Sequence, residues 1–162
     1  MASLLIITPV EKLQEKVNHI VKSFKNMPGI YVSLNKTQKS IEKILKKAGI
    51  NTNKLFFIDC VTSEKTKEDV LHIAPDRLDL LSTALATFMK DLKGEEFIII
   101  DELSILLIYN NENKVARFVE KLTEYASQHD TRVIALSPKT KGEELLKKIF
   151  NFFDKVEGRG HE

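Results

Sequence analysis

The sequence is poor in the residues that disulfide, metal and nucleophile chemistry require. Its one cysteine, Cys60, allows no disulfide within the chain, and a lone thiol fits a reducing cytoplasm. The four histidines, His19, His72, His129 and His161, show no ligand spacing with one another or with Cys60, so no metal site is expected. No Gly-x-Ser-x-Gly string or comparable nucleophile turn is present, which leaves hydrolase readings without support. Charge of one sign is lacking as well: 25 Lys and Arg against 23 Asp and Glu leave +2, too little to imply a polyanion partner. The first apolar run, Leu4 to Ile7, has no basic flank and is too short for a signal peptide or a membrane span, so a cytoplasmic chain without membrane association is expected. Glycine is scarce, and none occurs before Gly29.

What is present is a globular composition, 43% apolar and 30% charged over 162 residues, long enough to bury a core without staples. One domain over residues 1–157 is expected, with a frayed tail over 158–162. The chain is organised around Phe97-Ile98-Ile99-Ile100-Asp101-Glu102, an apolar run that ends in two carboxylates. A run without polar alternation reads as a strand buried on both faces. Ligands of open α/β sheets bind outside the carboxyl ends of the strands, so Asp101 and Glu102 are expected at the rim of any site.

The flanking patterns are similar in kind. Leu4 to Ile7 reads as a strand, followed by a helix start with Thr8 as cap, Pro9 at the first helical position and Glu11 closing a capping box. Val10, Leu13, Val17, Ile20, Val21 and Phe24 then carry the three-four spacing of a helix laid on a sheet. A second strand runs from Gly29 to Leu34 and leaves Asn35 and Lys36 at its carboxyl end; Thr37 caps the next helix and Gly49 ends it. Leu55 to Asp59 is a third strand. From Cys60 to Ala74 the pattern loosens into a charged run and one short strand, which reads as a mobile insertion. A helix follows over Leu78 to Leu92, then the central strand, a helix over Val115 to Tyr125, a strand from Thr131, a last helix from Glu143 and an edge strand near Phe153 to Val156. This alternation predicts a three-layer, mainly parallel α/β sheet with helices on both faces.

The order of elements, the segment from Gly29 to Asp59, and the string Asp101-Glu102-Leu103-Ser104-Ile105-Leu106-Leu107-Ile108-Tyr109-Asn110 resemble the RecA-like (P-loop NTPase-like) ATPase core, in particular its KaiC-like branch common in archaea. Phe97 to Asp101 is similar to the Walker B strand, and the string after it looks like that of RecA-superfamily proteins of presumed signalling function. The resemblance implies a RecA-like fold with ATP and magnesium as the family's ligands. The sequence departs from it at the phosphate loop. A Walker A loop needs glycines whose N–H groups wrap phosphate, a lysine and a hydroxyl. Only Thr8 and Pro9 lie between Ile7 and Val10, and Lys12 is one lysine on a helix start. Asn35 and Lys36 also stand where KaiC-like enzymes carry glutamates that activate water, and neither serves as a base at neutral pH.

An inactive member that binds another protein or a second copy of itself is therefore expected, with no cofactor. The alternative is a nucleotide binder or slow ATPase whose unusual rim uses Thr8, Lys12, Asn35 and Asp59 beside Asp101, Glu102 and Ser104. Asp101 either ligates magnesium or is a strand-end acid bonded to nearby backbone or the Thr8 hydroxyl; Asp59 either forms an acidic pair with it or is ordinary turn chemistry. The stripe Lys36, Lys39, Lys43, Lys46 and Lys47 lacks interleaved aromatics, so a solvated face is favoured over a nucleic-acid contact. Leu103, Ile105, Leu106, Ile108 and Tyr109 read equally as a buried helix start or as a subunit contact.

Overall fold

The structure is a computed structural model that describes residues 3–62, 70–92 and 94–158. The charged run over 64–69 and all but the first residue of the expected tail lie outside the described residues.

Among the described residues the strands are β1 (Ser3–Thr8), β2 (Gly29–Ser33), β3 (Leu55–Asp59), β4 (Val70–His72), β5 (Glu96–Asp101), β6 (Thr131–Pro138) and β7 (Lys155–Glu157). All pair in parallel in one sheet of order β4-β3-β2-β5-β6-β1-β7. The expected three-layer α/β architecture is what forms. β5 is central and every one of its residues is buried, as its unalternated apolar run requires.

The helices are α1 (Leu13–Ser23), α2 (Gln38–Lys47), α3 (Leu78–Asp91), α4 (Leu106–Tyr109), α5 (Glu112–Gln128) and α6 (Glu143–Ile149). Successive strand residues point to opposite faces, so the sheet feeds two cores. On one face Leu13, Val17, Ile41 and Leu45 of α1 and α2 pack on Ile6, Tyr31, Phe57 and Ile99. On the other, Leu81, Leu85, Phe118, Val119 and Leu146 pack on Leu5, Val32, Ile98 and Ile100. Right-handed crossovers account for the division. The connections after β1 and β2 run toward β4 and those after β5 and β6 run toward β7, which places their helices on opposite faces. The chain therefore diverges between the carboxyl ends of β2 and β5, the point where open α/β sheets form ligand crevices.

One local expectation is corrected. Thr8 continues β1 rather than capping a helix, and Pro9 takes the N-cap position with φ −57° and ψ 143°, outside the helix. A 3-10 turn over Val10–Lys12 precedes α1, and neither start carries a side-chain cap, so the capping box does not form. Thr8 pairs in register with Pro138 and is 4% exposed, which keeps its side chain in the strand's alternation and away from the helix axis. Val10 leaves the apolar face and is 54% exposed. The second helix starts as expected: Thr37 accepts from the Ser40 N–H at 3.2 Å.

Candidate functional site at the carboxyl edge of the sheet

Strand parity decides where the carboxyl-end polar residues point. Thr8 shares a face with Ile6, Ser33 with Tyr31, Asp59 with Phe57 and Asp101 with Ile99, so all four face the layer of α1 and α2. Ser33 is in register with both Asp59 and Asp101. It stands between them, which puts the two acids two strand spacings apart, about 10 Å. At that spacing the two carboxylates are turned to different partners.

Each acid is engaged by the protein itself. The Tyr31 phenol donates a hydrogen bond to Asp101 Oδ2 in the buried core, and Leu34 N–H donates to the Asp101 carbonyl at 2.7 Å. Burial pushes the Asp101 carboxyl upward, and the Tyr31 phenol and the Lys36 ammonium pull it partly back. The Tyr31 phenol is itself raised well above the ordinary range, first by burial and then by the Asp101 charge and hydrogen bond. Asp59 accepts from Gln38 N–H at 2.8 Å with one oxygen and from Val61 and Thr62 N–H at 2.8 and 3.0 Å with the other. It thus closes the turn after β3 and satisfies an open donor at the start of α2. Ser104 Oγ donates to Glu102 Oε1 at 2.7 Å, and Glu102 is the N-cap of a 3-10 turn over Leu103–Ile105. The peptide between Asp101 and Glu102 is cis.

The remaining rim is polar and cationic. Ser33 Oγ donates to the Lys36 carbonyl, which folds the connection after β2 back over the sheet end and leaves Asn35 exposed and Lys36 half-buried near Asp101. Lys12 is exposed on the turn after β1. Lys139 N–H donates to the Thr8 carbonyl at 3.1 Å, so the ends of β6 and β1 stay together beside that turn.

The run after β5 is split by the structure. Leu103 and Leu106 are 1% and 0% exposed and belong to the core under α3, α5 and α6. Ile105 is half-buried, whereas Ile108 and Tyr109 of α4 are 70% and 52% exposed. Asn110 Nδ2 donates to the Pro75 and Leu106 carbonyls at 2.9 and 3.0 Å, which holds the end of α4 against the chain before α3 and keeps Ile108 and Tyr109 outward. The four residues of α2 in the lysine stripe, Lys39, Lys43, Lys46 and Lys47, are all exposed.

Sequence reasoning missed Tyr31 as the partner of Asp101. The signal was available: a phenol within a strand buried on both faces needs a partner for its hydroxyl, and an acid ends the neighbouring strand. Among the described residues no cluster of histidine, cysteine and acidic side chains is arranged to hold a metal ion, and no helix is long and apolar enough to cross a membrane.

A family model described as a protein of unknown function (DUF835) matches residues 10–150. No curated protein matches the chain in sequence. Among solved structures, a KaiC-like protein from the hyperthermophilic archaeon Pyrococcus horikoshii is similar at 12% identity and a TM-score of 0.66, covering 99% of this chain and 74% of that one. An uncharacterized protein of the same organism, solved in complex with an unknown peptide, is similar at 14% identity and a TM-score of 0.73, covering 96% and 75%. At these identities the likeness is one of fold: an α/β sheet with the RecA-like core of the KaiC-like neighbours.

Proposed function

For this chain, which belongs to the DUF835 family of unknown function, we propose a protein-binding or regulatory module, serving cytoplasmic signalling, that keeps a RecA-like core and does not hydrolyse ATP. The observation that carries the reading is the Tyr31 phenol on Asp101. In an active member of this fold the acid at that strand end is expected to face magnesium; here its accepting oxygen is taken by a side chain of the protein's own core. Three further observations support it. β1 passes into α1 through Thr8, Pro9 and a 3-10 turn, with no glycine to let backbone amides wrap phosphate. Asn35 and Lys36 supply no base at the end of β2. A structural neighbour is solved with a peptide bound.

Ile108 and Tyr109 are the contact this module offers to a peptide, a partner protein or a second copy of the chain, since they are large, apolar and exposed on α4, whose end is tied by Asn110 to the Pro75 carbonyl. A second reading has one observation in its favour. Neither the 3-10 turn over Val10–Lys12 nor α1 carries a side-chain cap, and Lys12 is exposed there, which gives an anion a cation to meet even though the Lys12 and Leu13 N–H groups are given to the Pro9 and Val10 carbonyls.

Calorimetric titration of ATP with magnesium into the protein, beside an Asp101→Ala control, separates the two. The binding-module reading expects no heat of binding at millimolar nucleotide. Tight binding that the control abolishes would overturn it in favour of nucleotide recognition.

A further inference from the structure

The end of the sheet opposite Asp101 holds a cavity that the docking reading does not use. It has a volume of about 400 Å³ and opens between the carboxyl ends of α1 and α2, where the chain enters β3. From this hollow, with its apolar floor and lysine rim, we infer a binding site for a small amphiphilic anion: an aromatic or aliphatic body carrying a carboxylate, sulfonate or phosphate head.

The floor is built by a particular packing. Phe97, the first apolar residue of β5, lies across β2 at Gly29, where an added Cβ would stand 2.4–2.6 Å from its ring. The absence of a side chain at Gly29 lets the ring lie flat, and Phe24 stacks on it with centroids 4.6 Å apart and planes 17° from parallel. Val21, Met27, Ile50 and Leu55 complete an apolar wall. A hollow of this size and lining suits a ligand of modest dimensions.

The rim sets the charge. Lys22, Lys25 and Lys54 line the opening, and no acidic side chain does among the described residues. Helix carboxyl ends by themselves disfavour an anion, and the three rim lysines offset that here. Phe24 N–H donates to the carbonyls of Ile20 and Val21, Ala48 N–H to those of Ile44 and Leu45, and Gly49 N–H to that of Lys46, which closes part of each helix end. Lys54 Nζ takes the Asn26 carbonyl at 3.0 Å, which fixes its ammonium at the mouth with donors to spare. Apolar depth and a lysine rim together favour an amphiphilic anion over a neutral or cationic ligand of the same shape.

The test uses the full chain with two fluorescent probes, 8-anilino-1-naphthalenesulfonate and its uncharged relative N-phenyl-1-naphthylamine. The expected result is saturable one-to-one binding of the sulfonate, about tenfold weaker for the neutral probe, with methyl NMR shifts confined to Val21, Ile50 and Leu55. Reversing two exposed rim charges, Lys22→Glu with Lys54→Glu, weakens the sulfonate by about tenfold. Met27→Trp, which fills the mouth, abolishes binding of both probes, and the charge-reversed variant keeps the test open if that protein does not fold. Ile108→Ser leaves binding unchanged. Absence of saturable binding, equal affinity for the two probes, insensitivity to charge reversal, or shifts centred on α4 would each overturn the assignment. A nucleotide titration bears on the other end of the sheet, so the two readings fail independently.

Discussion

Tyr31→Phe removes one hydroxyl from the core and leaves the Asp101 carboxylate without the donor that faces it. Tyr31 is 0% exposed and Asp101 6%, so water does not readily replace the lost bond. Hydrogen bonds to a buried charged acceptor contribute about 1.5–3 kcal/mol, and for a chain of this size that predicts a fall in melting temperature of about 3–12 °C. The pH dependence is the sharper test. The Asp101 carboxyl is raised in the folded protein, so the protonated form is favoured there; its contribution to stability is complete below the unfolded value of about 3.9 and is lost as pH rises through the folded one. Removing the phenol raises the carboxyl further, because that bond holds it down. The cost of Tyr31→Phe should therefore be largest at neutral pH and shrink as the pH is lowered toward 4, tending to about 1 kcal/mol once the carboxyl is protonated and a neutral bond is all that is missing. Asp101→Asn, which keeps an acceptor and discards the charge, should be at least as stable as the natural protein at pH 7. Urea unfolding at both pH values reads all three quantities. A cost below about 0.5 kcal/mol, or one that does not change with pH, would refute the account of Asp101 as a carboxylate kept inside the fold by its phenol.

Asp59→Ala takes acceptors from three backbone amides at once and is expected to cost about 2–4 kcal/mol, with hydrogen exchange accelerated at Gln38, Val61 and Thr62; unchanged protection there would contradict its role at the turn. The Cys60 thiol is buried and pushed up to about 12, by burial first and the Asp59 charge second, so it should resist a disulfide reagent at pH 8 until urea unfolds the chain; fast labelling of the native protein would show that β3 opens readily. Gly29→Ala forces a methyl against the Phe97 ring and should cost about 1–3 kcal/mol by thermal melting, whereas an unchanged melt would mean that the ring shifts freely.

The apolar runs were sufficient to locate β1, β2, β3, β5 and β6, because strands buried on both faces leave no polar alternation to misread. Helix spacing located α3 and α5 for the same kind of reason: a face laid on a sheet repeats at three and four residues. The start of α1 was misread because Thr-Pro-x-Glu satisfies a capping pattern locally. Pairing of Thr8 with Pro138 in the sheet outweighs one side-chain cap. Leu103 to Tyr109 could not be divided in advance, since burial of Leu106 and exposure of Ile108 depend on the helices packed beneath α4 and on the Asn110 bond to Pro75.

By itself the sequence determined the alternation of strand and helix, the central place of Phe97 to Asp101 and the absence of a glycine-rich loop before Gly29, since each is a matter of residue type and local period. The tertiary structure decided what the acids do. Tyr31 meets Asp101 across 70 residues and Gln38 meets Asp59 across 21, and those pairings exist only once parallel strands are in register. The lysine-rimmed cavity is likewise a product of assembly: α1 and the entry to β3 are brought together over Phe97 by packing that no local pattern encodes.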